Sequence, residues 1–247
     1  MARNAKHSYN RHCVGCALSA QPLLVVYLKN NMTPLSASPK GSLDQLIGKF
    51  DRALRVISGQ AIARRANPAH ELPDDNLSEQ DKAHSAGLMR VNHVGEICAQ
   101  ALYDSQGANA HTEDIRQQFQ HSGIEEEDHL AWTAKRLQEL NSHISLLNPL
   151  WYAGAYACGT LAAKFGDTVS LGFVVETEKQ VEAHLASHLE KLPAQDLKSR
   201  AIVEQMRLDE IAHGAAAQAL GASALPQPVQ AGMKLMAKVM TTTAYYV

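Results

Sequence analysis

Residues 121–132 read His-Ser-Gly-Ile-Glu-Glu-Glu-Asp-His-Leu-Ala-Trp. Three glutamates, an aspartate and a histidine stand together before Leu130 and Trp132. Alone, the stretch is the solvated face of a helix. Within it, Glu126 and His129 are three residues apart, which puts both side chains on one helical face. A single Glu-x-x-His occurs by chance in many proteins, so its meaning rests on what the rest of the chain repeats.

The chain repeats it. Residues 207–214, Arg-Leu-Asp-Glu-Ile-Ala-His-Gly, set Glu210 and His213 at the same spacing among small apolar residues. One helix upstream of the first motif lies Glu96, the only acid between Asp81 and Asp104. One helix upstream of the second lie Glu176, Glu178 and Glu182. Glu96 precedes Glu126 by 30 residues and Glu178 precedes Glu210 by 32. Thirty residues hold two half-helices of about 20 Å and a turn, so each pair can face across an antiparallel hairpin. Glu178 keeps the two halves closest in spacing; Glu176 and Glu182 stand as its rivals. The gap from Glu126 to Glu178 is 52 residues, and 141–167 supplies the long crossover that this requires.

A Glu from each of two helices, with Glu-x-x-His from each of two others, is the ligand set of ferritin-like di-iron carboxylate bundles. Hard carboxylate oxygens can bridge two iron ions, and one imidazole per ion leaves positions open. The candidate ligands are therefore Glu96, Glu126, His129, Glu178, Glu210 and His213. Four carboxylates buried together repel one another, and two divalent cations neutralise them. Without metal, such a site should be strained or partly protonated. Glu125 and Asp209 each directly precede a candidate Glu and can accept the free N–H of a histidine on the facing helix. His93 lies three residues before Glu96, where it can support the ligands. His184, six residues after Glu178, either orients a carboxylate and relays a proton or is an ordinary surface histidine.

The remaining pattern is helical. Helices are expected from Ser78, a cap three residues before Asp81, to about Gly107, then over 111–140, 168–191 and 195–220. Val229, Met233, Met236 and Met240 form one stripe of a last helix after Pro226 and Pro228. No period-2 pattern of useful length occurs. The fold class is all-α: a ferritin-like four-helix bundle with a long crossover, plus flanking amphipathic helices. Three domains are expected: an N-terminal extension 1–31, a basic amphipathic helix and linker 32–77, and the di-iron domain 78–247.

Ser42 and Gln45 have capping-box spacing, and Leu43, Leu46, Ile47, Phe50, Leu54 and Ile57 recur at helical intervals behind them. Lys49, Arg52 and Arg55 take other faces. The apolar side of this helix either docks on the core or touches a membrane or substrate mouth. Residues 66–78 read as a linker. Residues 1–31 hold four bases and no acid, which fits a transit segment; the plainer expectation is a dispensable extension with Met32 as the true start.

From Met32 onward, 19 basic residues face 25 acidic ones, a net charge of −6 that argues against binding nucleic acid. Four cysteines in 247 residues make no disulfide framework, which points to a reducing compartment, and Cys13-Val-Gly-Cys16 has no second CxxC to complete a metal site. No run of about 18 apolar residues is free of charge, so no spanning helix is expected.

On five stretches the sequence resembles the COQ7-type demethoxyubiquinone hydroxylases of ubiquinone biosynthesis, nearer the bacterial than the mitochondrial members. They are Arg-Val-Asn-His-Val-Gly-Glu at 90–96, Glu-Asp-His-Leu-Ala-Trp within 126–132, the segment 148–159, the segment 170–185 and Asp-Glu-Ile-Ala-His-Gly at 209–214. The likeness covers about residues 40–247. It implies a monooxygenase that uses two iron ions (Fe2+/Fe3+) and O2 to hydroxylate the ring of a 2-polyprenyl-3-methyl-6-methoxy-1,4-benzoquinol. It implies the same six ligands, and a peripheral place on the cytoplasmic face of a bacterial inner membrane, with the matrix side of the mitochondrial inner membrane as the alternative. The crossover 144–163, the basic helix 43–57 and the Met-rich C-terminal helix are the candidate membrane contacts. Other ubiquinone-biosynthesis proteins and a second copy of the chain are candidate partners. Rival readings are another ferritin-like di-iron protein, oxidising iron or reducing peroxide, and a membrane-bound scaffold of the quinone-synthesis complex.

Overall fold

The computed structural model describes residues 42–73 and 76–247. The basic start 1–31, Met32 and the Cys13–Cys16 pair lie outside the described residues, as do the side chains of the Ser42–Gln45 capping pair. Contacts divide the chain into two units. Of the first, Met1–Leu46, only residues 42–46 are described, as helix; the second runs from Ile47 to Val247. Residues 47–77, set apart as helix and linker by their composition, thus belong to the same unit as the bundle.

The described residues form seven helices and no strand: α1 (Ser42–Ile57), α2 (Glu79–Asn109), α3 (Glu113–Glu139), α4 (Asn148–Lys164), α5 (Asp167–Lys191), α6 (Leu197–Ala219) and α7 (Gln227–Ala244). The helix starts are chemically marked. The Ser78 hydroxyl accepts the Asp81 N–H at 3.1 Å, Thr112 accepts the Ile115 N–H at 3.4 Å, and the Asp196 carboxylate accepts the Ser199 N–H at 2.9 Å. Asn141, with φ of 54°, follows the end of α3, and Gly221, with φ of 97°, follows α6.

Helices α2 and α3 pack as one hairpin and α5 and α6 as the other; α3 meets α6 across the bundle. The crossover is not a plain loop, because it contains α4, which starts at the Asn148-Pro149 step and lies along α2. Gly159 permits that approach: a Cβ there would sit 2.1 Å from the Ser105 hydroxyl and 3.2 Å from the Leu102 carbonyl oxygen. Met89, Trp132, Leu137, Leu185, Ile202 and Met206 are buried together in one apolar cluster. Tyr103, Phe119, Leu171 and Val174 belong to another. Each buried aliphatic or aromatic side chain of this kind contributes about 1.5–3 kcal/mol. Along α3, residues 126–129 fall between Phe119 and Trp132, so the candidate ligands sit between two apolar regions.

The basic helix does not dock its apolar stripe. In α1, Ile47, Phe50 and Leu54 are exposed, and Val56 is buried. Arg52 instead turns inward: it pairs with Glu127, reaches Asp104 at 3.2 Å and donates to the Gly123 carbonyl at 2.9 Å. The docked-stripe expectation is corrected: the stripe stays exposed, and the helix is held by the Arg52 ion pairs and by Val56, which packs with Ile97 and Leu130. After α1 the chain follows a turn-rich path in which Ala69 and Leu77 are buried. No helix among the described residues is long and apolar enough to cross a membrane.

Candidate metal centre

Four helices deliver six buried side chains to one place. Helix α2 brings Glu96, α3 brings Glu126 and His129, α5 brings Glu178, and α6 brings Glu210 and His213. Their donor atoms form two overlapping sets: Glu96, Glu126, His129 and Glu210, and Glu126, Glu178, Glu210 and His213. Within each set the atoms lie within 4.8 Å of one another. Glu126 and Glu210 belong to both.

The histidines face this cluster through Nδ1. His129 Nδ1 lies 3.1 Å from Glu126, 3.4 Å from Glu96 and 3.5 Å from Glu210. His213 Nδ1 lies 3.2 Å from Glu210 and 3.3 Å from Glu126. The opposite nitrogens face away. His129 Nε2 meets Asp209 at 2.9 Å and His213 Nε2 meets Glu125 at 2.8 Å. Asp209 is on α6 and Glu125 on α3, so each histidine is oriented by the helix of the other half. An acceptor on Nε2 fixes its proton there and leaves the Nδ1 lone pair free for a cation.

Electrostatics describe a site built for positive charge. Burial, then the charge of Glu126, pushes Glu96 well above the usual carboxylate range. Burial and the charges of Glu210 and Glu126 do the same to Glu178. Glu210 is pushed up to about 7 by burial and by Glu126. Burial also works against ionised Glu126, but hydrogen bonds from Glu96 and both histidines hold it well below the usual range. Both histidines are raised: burial opposes their charge, and the contacts of Asp209 and Glu126 with His129, and of Glu125 and Glu126 with His213, outweigh it. The cluster without metal therefore keeps protons where divalent cations would place charge.

The oxygens left over support a metal. Glu178 Oε2 is buried with no partner, and the buried Glu126 Oε1 and Glu210 Oε1 meet only a histidine Nδ1, at 3.3 and 3.5 Å. Buried acceptors are seldom left so. Two divalent cations would give all three a partner, and an oxygen-rich donor set with one imidazole per ion suits iron.

The rivals of Glu178 go elsewhere: Glu176 accepts from Gln180 at 2.7 Å, and Glu182 pairs with Arg207 at 3.1 Å. His93 is buried but meets Thr133 at 3.0 Å through Nδ1, while its Nε2 has no partner. His184 packs against His188 with ring centroids 4.0 Å apart and planes tilted by 57°, and its Nε2 is likewise unpartnered. Three further residues, not singled out from the sequence, surround the centre. Tyr103 donates its hydroxyl to Glu178 at 2.5 Å. Arg65, from the segment between α1 and α2, reaches Asp128 at 2.7 Å and Asp209 at 2.8 Å. Asp128, fully buried, also accepts the Arg64 N–H at 2.5 Å. No periodicity marks Arg65; for Asp128 the available signal was its place between Glu126 and His129, as an acid too many for a solvated face.

A bundle of two helix hairpins, each giving one Glu and one Glu-x-x-His to a common buried centre, defines a ferritin-like carboxylate–histidine protein. Residues 83–244 match the family model described as "Ubiquinone biosynthesis protein COQ7", and the chain belongs to that family. It is 64% identical over 204 residues to a 3-demethoxyubiquinol 3-hydroxylase of Herminiimonas arsenicoxydans, covering 83% of this chain and 97% of that protein. The protein of the same name from Herbaspirillum seropedicae is 64% identical over 203 residues, covering 82% of this chain and 98% of its own length. That of Cupriavidus pinatubonensis is 60% identical over 205 residues, covering 82% of this chain and 99% of its own.

Proposed function

We propose that this chain is an O2-dependent di-iron hydroxylase acting on the ring of a 3-demethoxyubiquinol, that is, a 2-polyprenyl-3-methyl-6-methoxy-1,4-benzoquinol. The carrying observation is the pair of donor sets that share Glu126 and Glu210. The relatives' shared name supports the substrate class.

Iron bound by Glu96, Glu126, His129, Glu178, Glu210 and His213 would supply the reduction of O2 that ring hydroxylation requires. One oxygen atom enters the ring and the other leaves as water; the quinol or a separate reductant provides the two electrons. The protein's share is positional. Asp209 and Glu125 hold the Nε2 protons of the two histidines, so Nδ1 alone is offered to metal. Tyr103 fixes one oxygen of Glu178. Metal uptake displaces the protons that burial keeps on Glu96, Glu178 and Glu210. A cavity of about 410 Å³ between α2, α5 and α7 is lined by Val91, Gly95, Val181, Leu185 and Met240, and Glu96 lies on its wall. That largely apolar lining, bordered by Gln180, Lys234 and Lys238, suits an aromatic ring and the start of an isoprenoid tail.

A polyprenyl tail requires access to a bilayer. The reading is a peripheral one, on the cytoplasmic face of the inner membrane, supported by exposed Ile47, Phe50 and Leu54 of α1, Leu150 and Leu161 of α4, and Leu235, Met236 and Val239 of α7. Replacing these residues with serine should abolish flotation with anionic liposomes; unchanged flotation refutes the membrane assignment.

The test of the chemistry is a single-turnover reaction. Protein loaded anaerobically with Fe(II) receives the demethoxyquinol and ¹⁸O2, and mass spectrometry reads the product. One labelled oxygen in the ring, lost in Glu126→Ala, is the expected result. Paired iron binding without label in the ring would leave the metal centre standing and remove the substrate assignment.

A further inference from the structure

The two halves of the centre differ in how the acid behind each histidine is held. On the His213 side, Glu125 accepts from the ring and has Arg65 only at 3.7 Å and His121 at 3.8 Å. On the His129 side, Asp209 Oδ2 accepts from the ring at 2.9 Å and from Arg65 Nη2 at 2.8 Å. The same arginine donates through Nε to Asp128 at 2.7 Å. Asp128 also accepts two backbone N–H groups of the same segment, from Arg64 at 2.5 Å and Arg65 at 3.3 Å. The guanidinium lies over Trp132, 5.0 Å from the ring centroid. Its plane, its fork and its backbone are thus all held.

Arg65 comes from the segment between α1 and α2, which is no part of the four-helix repeat. Ala63, Ala69, Leu72 and Leu77 of that segment pack into the apolar cluster around Trp132. Arg65 is therefore presented by an anchored strap. Its fork spans an acid on α3 and an acid on α6, and it fixes the oxygen that in turn fixes His129. Nothing holds Glu125 as closely.

We infer that Arg65 is a positioning residue that makes the two metal positions unequal: it locks Asp209 onto His129, so the ion held by Glu96 and His129 depends on the strap, while the ion held by Glu178 and His213 does not. This rests on the proposed metal centre, and the test separates the two. Loss of an outer partner of a metal-bound histidine typically lowers metal affinity about 10–100-fold. In Arg65→Met that loss should fall on one of the two ions, with less than about a threefold change at the other.

The experiment uses the full chain titrated anaerobically with Co(II), read by ligand-field absorption and by the exchangeable, hyperfine-shifted imidazole N–H protons in the NMR spectrum. Wild type should take up two ions and show two such protons, the Nε2 protons of His129 and His213. Asp209→Asn should remove one signal and Glu125→Gln the other, which assigns them. Arg65→Met should broaden or remove the signal that Asp209→Asn removes and leave the second sharp. Arg65→Lys keeps the charge but not the fork; it should show the same selectivity more weakly, and it decides the matter if Arg65→Met does not fold. Equal weakening of both ions, or two unchanged signals, would overturn the role of Arg65 while leaving the metal centre intact. A wild-type chain that binds no Co(II) overturns both.

Discussion

Replacing Tyr103 with phenylalanine removes one hydroxyl and nothing else. The ring is buried; it tilts against Phe119 with centroids 6.0 Å apart and stands edge-on to His213 at 5.8 Å, contacts that phenylalanine keeps. The lost interaction is the 2.5 Å hydrogen bond to Glu178. Its worth depends on the charge of the acceptor. Without metal, burial and the neighbouring charges of Glu210 and Glu126 push Glu178 well above the usual carboxylate range and favour its neutral form. The bond is then between neutral groups, worth about 0.5–1.5 kcal/mol. With metal bound, Glu178 is a carboxylate and the bond is worth about 1.5–3 kcal/mol. The tyrosine stays a donor throughout, because burial and Glu178 raise its own pKa well above the usual value. The metal-free variant should therefore melt only about 1–6 °C lower, at roughly 2–4 °C per kcal/mol for a chain of this size. Its metal affinity should fall about 5–10-fold, since each ~1.4 kcal/mol is a factor of ten. Calorimetry of the metal-free and loaded forms, with an anaerobic Fe(II) titration, measures both quantities. A variant that loses more stability without metal than with it would refute the assignment of Glu178 as an ionised ligand.

Three other outcomes follow from the packing and the charges. Gly172→Ala places a Cβ 2.0 Å from the Ser223 carbonyl oxygen, so backbone must move, and chemical denaturation should show a loss of about 1–3 kcal/mol. Arg136→Met removes the partner, at 2.8 Å, of the fully buried Asp196 that caps α6; a loss of about 3–5 kcal/mol is expected in the same assay, and under about 1 kcal/mol would contradict a buried ion pair. Burial alone pushes His93 down to about 4 from 6.5, so the unfolded chain binds a proton that the native state refuses. Stability from this group is full above about pH 7 and declines on acidification through 6.5 toward 4, by about 1.4 kcal/mol per pH unit at most. The stability difference between metal-free wild type and His93→Gln should therefore shrink as pH falls over that window, and a constant difference would exclude a neutral buried imidazole.

Much of the centre could be read from intervals along the chain. The two Glu-x-x-His motifs and the single Glu one helix before each depend on helical periodicity and hairpin length, which are local properties. The exchange of Glu125 and Asp209 between the halves was legible for the same reason: each sits one position before a candidate ligand and so faces the neighbouring helix. Arg65 and Tyr103 were not legible. Arg65 meets Asp209 across 144 residues from a segment without period, and Tyr103 meets Glu178 across 75 residues through a contact between hairpins. The orientation of α1 failed for a related reason. Periodicity reveals that a helix has an apolar side, and Arg52 with its partners on α2 and α3 decides which side turns inward.

The crossed pairing of the two halves also bears on how the chain is held together. Glu126 and Glu178 are 52 residues apart, with α4 between them, yet they belong to one donor set. Ions bound there act as a cross-link between the hairpins. A covalent link closing a loop of that length removes about 4 kcal/mol of unfolded-chain entropy, and a metal bridge works in the same direction. Neither hairpin holds a full donor set or orients its own histidine, so neither can mature alone. Filling of the centre would then also rivet one half of the bundle to the other, and a chain without those ions would be joined only by packing and by pairs such as Arg136–Asp196 and Tyr103–Glu178.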